Sequence, residues 1–181
     1  EVVPEQVITR QLVEEITVKN SLAVGDPSKD LLKLAVIERH KGTGNIGMGF
    51  VKGFALKHGA LASSVAHDSH NIIVVGTTDD DMRAAMEAVV KMGGGLAAVS
   101  DCNILAQLAL PVAGLMSLEP VRRVRDQLDS LIGVAHDLGT PLKDPFMTLS
   151  FLALPVIPEL KLTDIGLVDV NRFEVVPLFV E

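Results

Sequence analysis

The apolar positions first repeat with the period of a strand. Residues 11–19 (QLVEEITVK) carry β-branched side chains in partial alternation, with Ile16 and Val18 on one face, and predict a strand. A turn region follows around Gly25-Asp26-Pro27. Residues 31–38 (LLKLAVIE) are more continuously apolar and predict a more deeply buried strand, closed by the charged Arg39-His40-Lys41. Glycine then stands at positions 42, 44, 47, 49, 53 and 59. An interior glycine costs a helix roughly 1 kcal/mol against alanine. The stretch therefore predicts a loop followed by an irregular strand over residues 50–56. Two more strands are expected at 60–66 and 71–75 (NIIVV), with the polar string His67-Asp68-Ser69-His70 between them.

The period then changes to that of a helix. Met82, Ala85, Met86, Val89 and Val90 make one apolar stripe, which reads as core packing. Thr78 stands at its cap position, Asp79, Asp80 and Asp81 at the positive end of the dipole, and Gly93-Gly94-Gly95 at its stop. A hairpin is expected from 96–99 and 104–110 around Asp101-Cys102-Asn103. A second helix begins near 117–120, with Val121, Val124, Leu128, Leu131, Ile132 and Ala135 as its stripe and Gly139 at its end. A third, over 144–154, has Asp144 as cap and Pro145 at its first position. The tail beyond Pro155 is punctuated by proline and extended, ending in an apolar run over 175–180. Strands in meander groups with helices in separate blocks give an α+β class, a layered mixed or antiparallel sheet with packed helices, and residues 1–181 as a single domain.

Composition narrows what such a domain does. Hydrophobic residues make up 48% of the 181 positions and charged residues 22%, which excludes general disorder. No apolar run reaches the roughly 18 residues of a membrane span. The balance of 16 Lys+Arg against 23 Asp+Glu gives a net charge of −7, and Trp and Tyr are absent. Nucleic acid and anionic membrane are poor partners for that surface. The single Cys102 forms neither an internal disulfide nor a cysteine-rich zinc site, which points to a reducing, cytoplasmic setting. The first residue is Glu1 rather than Met, and the sequence reads as part of something longer.

Three stretches carry candidate chemistry. The run from Gly42 to Gly47 fits G-x-G-x-x-G after a predicted strand. A dinucleotide site needs those glycines to open a helix, and Gly49 and Gly53 oppose one. A tight turn, a lid over a substrate, or a small-ligand or nucleotide module built on the 42–59 loop remain as readings. The string His67-Asp68-Ser69-His70-Asn71 gathers imidazole, carboxylate, hydroxyl and amide. It is either a polar turn, its Asp and Asn bonded to backbone N–H groups, or part of a site. It completes no zinc-deaminase signature, because the Cys-x-x-Cys partner is absent. Glu38-Arg39-His40-Lys41 is either a solvated strand end or a set of ligand contacts.

Longer blocks extend this reading. IERH, GTGNIGMGFVKGF and GALASSVAHDSHNIIVVG, then the acid-capped helix, LPVAGLMS (110–117) and PFMTLSFLALPVIPELKLTDIGLVDV (145–170), follow one another over most of residues 31–170. Together they resemble the C-terminal domain of microbial adenine deaminases, of the amidohydrolase superfamily. The resemblance implies hydrolysis of adenine to hypoxanthine and ammonia in purine salvage, with a divalent transition metal, manganese or iron, held on a β/α barrel that makes water nucleophilic. No His-x-His occurs here, and 181 residues do not hold a barrel of roughly 250. The implied partners are adenine and an N-terminal metal-binding barrel of the same protein, with a homo-oligomer also open. No metal ligand is expected in this chain, and the chain alone is expected to be inactive. His67, Asp68 and His70 are the candidate lid or supporting residues. Glu38, Arg39, Gly44, Asn45 and Asn71 are the candidate substrate contacts.

Overall fold

A computed structural model describes residues 1–180. A short hairpin, β1 (Thr17–Lys19) and β2 (Leu22–Val24), precedes the main sheet. That sheet is built from β3 (Leu32–Ile37), β4 (Ile46–Val51), β5 (Ala60–Ser63), β6 (Ile72–Gly76), β7 (Gly95–Ser100) and β8 (Asn103–Ala109), with helix α1 (Asp79–Lys91) inserted before β7. Helices α2 (Val121–Asp137) and α3 (Pro145–Phe151) follow. A second sheet of β9 (Leu160–Thr163), β10 (Gly166–Asp169) and β11 (Glu174–Val176) closes the fold. The six strands run β4-β3-β6-β5-β7-β8, every neighbour antiparallel. The architecture is α+β.

Alternation along the strands sorts the core into two layers. Ala35, Ala60, Ala62, Val74, Ala97 and Val99 present a shallow surface to α1, which lays Met82, Ala85 and Val89 on it. The opposite face carries Leu34, Val36, Leu61, Ile73 and Leu96, covered by α2, α3 and Leu162 of β9. Thr78 Oγ1 accepts the Asp81 N–H at 3.1 Å, and the Asp81 carboxylate accepts the Cys102 N–H at 2.8 Å. The cap therefore also ties α1 to the β7–β8 turn. Thr78→Ala is expected to lower stability by about 1 kcal/mol. The check is the urea midpoint at unchanged slope.

Several elements depart from expectation. Of residues 11–19 only the last three pair, because no strand lies beside 11–16. β4 begins at Ile46 rather than 50, so Gly47 and Gly49 stand inside a strand. The glycines reject a helix, but two of them serve close packing. A Cβ at Gly47 would lie 1.8 Å from the Thr163 carbonyl oxygen, and one at Gly49 would touch the Leu162 side chain at 3.4 Å. The β9–β10 hairpin thus rests directly on β4. β5 stops at Ser63, and α3 is one turn shorter than its pattern. Val121 at the start of α2 is exposed, while Leu131 and Ala135 are buried. The extended tail proves to be a small sheet, whose last strand, Glu174–Val176, takes only Val175 and Val176 of the terminal apolar run.

Candidate functional site

The register of the sheet gathers the polar residues. Ile37 pairs with Ile46 on one side and with Ile72 on the other. The residues just past Ile37, namely Glu38 and Arg39, therefore meet those just before Ile46 and Ile72, namely Asn45, His70 and Asn71. Arg39 is the hub. Its Nε donates to the His70 carbonyl at 2.5 Å and its Nη2 to the Ala113 carbonyl at 2.8 Å. Its guanidinium lies on Gly114, where a Cβ would come within 2.6 Å of Nη2. Among the described residues no carboxylate pairs with it.

Asn71 is buried, and its amide Nδ2 donates to Asp164 Oδ1 at 3.1 Å while Asn45 Nδ2 donates to Asp164 Oδ2 at 3.4 Å. Asp164 in the β9–β10 turn thereby joins two strand ends of the main sheet. Glu38 is turned to a different use. Its carboxylate accepts the backbone N–H groups of Thr43 at 3.0 Å, Lys41 at 2.7 Å and His40, and the Thr43 hydroxyl at 3.1 Å. Those donors, the Thr43 N–H foremost, push its pKa down to about 2. Glu38 closes the turn that begins the glycine run, and its carboxylate is engaged there by the chain itself. Gly44 is exposed at φ +76 with open space around its Cβ position. A strand rather than a helix follows, so the run builds no dinucleotide cradle.

His67 and His70 face each other edge to face, ring centroids 5.6 Å apart, and His67 also leans on Phe151 at 4.9 Å. His40 Nε2 bonds the Ser69 carbonyl at 2.7 Å. Burial, His67 and Arg39 all lower the pKa of His70, favouring neutral imidazole, and its Nδ1 is buried without a partner. Asp68 is exposed and accepts no hydrogen bond within the described chain, so Asp68 does not cap the turn; the His70 N–H closes it on the Ala66 carbonyl at 2.6 Å, and Asn71 Oδ1 accepts the Arg39 backbone N–H at 3.4 Å. Among the described residues no three His, Cys, Asp or Glu side chains converge as a metal would require. The donor set does not fit manganese or iron, and no chemical step is assigned through a metal here.

Sequence reasoning missed Asp164 and the 113–114 turn. Both sit in blocks that carried the resemblance (KLTDIG and LPVAGLMS), but neither is near the cluster in the chain. Exposed apolar residues adjoin the cluster's members in the chain: Ile46 beside Asn45, Ile165, 66% exposed, beside Asp164, and Met116 two residues past Gly114.

Fold and site define an α+β domain that presents a polar cluster at its strand ends. Residues 6–174 match the family described as adenine deaminase C-terminal domain, and the chain belongs to that family. It is 62% identical over 177 residues to an adenine deaminase of Desulfatibacillum aliphaticivorans, covering 98% of this chain and 31% of the relative. The corresponding protein of Methanothrix thermoacetophila is 52% identical over 180 residues, covering 99% and 32%. The chain thus spans about a third of the length of the curated relatives it matches.

Proposed function

We propose that residues 1–181 act as one domain of an enzyme that hydrolyses adenine to hypoxanthine and ammonia, and that the strand-end cluster forms a wall of its active site. In this reaction a water oxygen bonds to the ring carbon bearing the amino group. The C–N bond then breaks, and the amine leaves as ammonia once protonated. Activation of the water, with manganese or iron, falls to the catalytic portion, a metal-binding barrel. On this reading the enzyme works in the cytoplasm in purine salvage, a reducing setting that the single cysteine suits.

The observation that carries this reading is the Arg39 guanidinium, fixed by two carbonyls and without a carboxylate partner among the described residues. Purine ring nitrogens accept hydrogen bonds, and Arg39 keeps N–H groups to donate. The adenine amino group donates, and Asp68 has a free carboxylate to accept. Exposed Met116, Leu118 and Ile165 are suited to excluding water once covered.

The test is Asp68→Asn in the full-length enzyme. Shape and volume are kept and only the charge is lost. The expected result is a fall of tenfold or more in kcat/KM, about 1.4 kcal/mol of transition-state stabilisation, at unchanged melting temperature and metal content. Unchanged kcat/KM at full metal loading would retire this face as an active-site wall and leave the domain a scaffold.

A further inference from the structure

At the opposite end of the sheet, a cavity of about 540 Å³ opens between the N-terminal segment, β3–β4 and the second sheet. Lys161 of β9 lines it. Its side chain is only 2% exposed, its Nζ donates to the Val7 carbonyl at 2.7 Å, and no described carboxylate lies within ion-pair distance. The other basic residues of the wall are matched: Arg10 to Glu1 at 3.5 Å, Lys52 to Glu14 at 2.6 Å, and Arg172 to Glu174. Asp169, also in the wall, is occupied by the Arg172 N–H at 3.2 Å. Burial without a counter-ion pushes the Lys161 amine down to about 8. Fully buried lysines are ordinarily paired.

The rim shows a second kind of incompleteness. Val13 is 76% exposed and Phe179 60%, beside exposed Leu12 and Val180. Residues 12–16 pair with no strand, and their backbone N–H groups find no backbone partner in the described chain. An apolar rim, a free backbone edge and a lone buried cation call for a covering segment that is apolar and carries an acid.

We propose that this cavity seats an acidic side chain from the rest of the polypeptide, an Asp or Glu whose carboxylate pairs with Lys161 and whose apolar neighbours cover Leu12, Val13, Phe179 and Val180. The inference rests on the reading that a catalytic portion shares the polypeptide. It also uses the two-thirds or so of the relatives' length that this chain does not span. A second copy meeting this face about a two-fold axis would have to bring one of this chain's own acids to Lys161, and the cross-link below tells that apart. A small anion would leave the rim and the 12–16 edge uncovered.

Hydrogen exchange and zero-length cross-linking on the full-length protein test it. The amides of 12–16 are expected to exchange at least tenfold more slowly than those of the exposed 40–45 turn. That protection should survive Lys161→Arg and be lost in Lys161→Met. A carbodiimide, which joins an amine to a touching carboxyl as an amide, is expected to link Lys161 to an Asp or Glu outside residues 1–181. The Lys52–Glu14 pair serves as the internal positive control. Recovery of that control without the Lys161 link, a link to an acid of a second copy, or fast exchange at 12–16 would overturn the contact. A protein that deaminates adenine yet exchanges rapidly there refutes only this contact. One that is linked, protected and metal-loaded but inactive on adenine refutes only the proposed activity.

Discussion

Arg39→Met in the full-length enzyme is expected to lower kcat/KM for adenine at least tenfold while the sheet stays folded. Methionine keeps an unbranched stem of similar length beside Gly114 but has no donors. The His70 and Ala113 carbonyls, held at 2.5 and 2.8 Å, lose their partner together. The two loops then lose the guanidinium that bridges them, while Ser64 still holds the Gly114 carbonyl. Each tenfold step corresponds to about 1.4 kcal/mol. Loss of two such bonds, at roughly 0.5–1.5 kcal/mol each, is enough to produce it. Arg39→Lys should recover part of the loss, since a single ammonium reaches one carbonyl but lacks the planar fork that spans both. The measurement is steady-state kinetics with metal content and circular dichroism on both variants. Wild-type kinetics for Arg39→Met would remove Arg39 from the site.

Gly47→Ala is expected to be the most damaging single-methyl change in the chain, costing about 3 kcal/mol or more. Its Cβ would fall 1.8 Å from the Thr163 carbonyl oxygen, with Gly166 N also at 3.3 Å. Both neighbours are backbone, so the β9–β10 hairpin must lift off β4 as a unit. Overpacking of this kind usually costs 1–3 kcal/mol, and it costs more when no side chain can give way. Lifting the hairpin also pulls Asp164 from Asn45 and Asn71. Gly133→Ala is the contrast. That glycine lies inside α2 with nothing within 4 Å of its Cβ position, and alanine there should stabilise by up to about 1 kcal/mol. Equilibrium unfolding of both variants decides the matter. A Gly47→Ala midpoint close to wild type would mean the hairpin does not press on the strand.

The strands at 32–37 and 72–76 and the helix capped by Thr78 were legible, because each is set by local periodicity or a local cap. β4 was not. A glycine has the same local signature whether it frees a turn or makes room for a neighbouring backbone, and the neighbour here comes from over a hundred residues away. Arg39, Asn45, His70 and Asn71 were each marked on residue chemistry, yet only the antiparallel register of β3 explains why they adjoin. Asp164 carried no signal of its own: an acid in a turn between short strands is ordinary. Glu38 is the opposite case. It resembles a free acid at a strand end, but three backbone N–H groups within five residues consume it.

β3 also acts as a spacer. Leu31 and Leu34 near its start line the Lys161 cavity, and Arg39 follows its last residue. At about 3.3 Å per residue the two points stand roughly 20 Å apart, and β3 is clamped by strands on both sides. Such a strand neither stretches nor hinges, so it sets a fixed distance like the shank of a gauge. A partner that grips the cavity end thereby determines how far the guanidinium end projects. Lengthening β3, β4 and β6 together by two residues each, which preserves the facing of every side chain and the register that gathers the cluster, would push that cluster forward by roughly 7 Å.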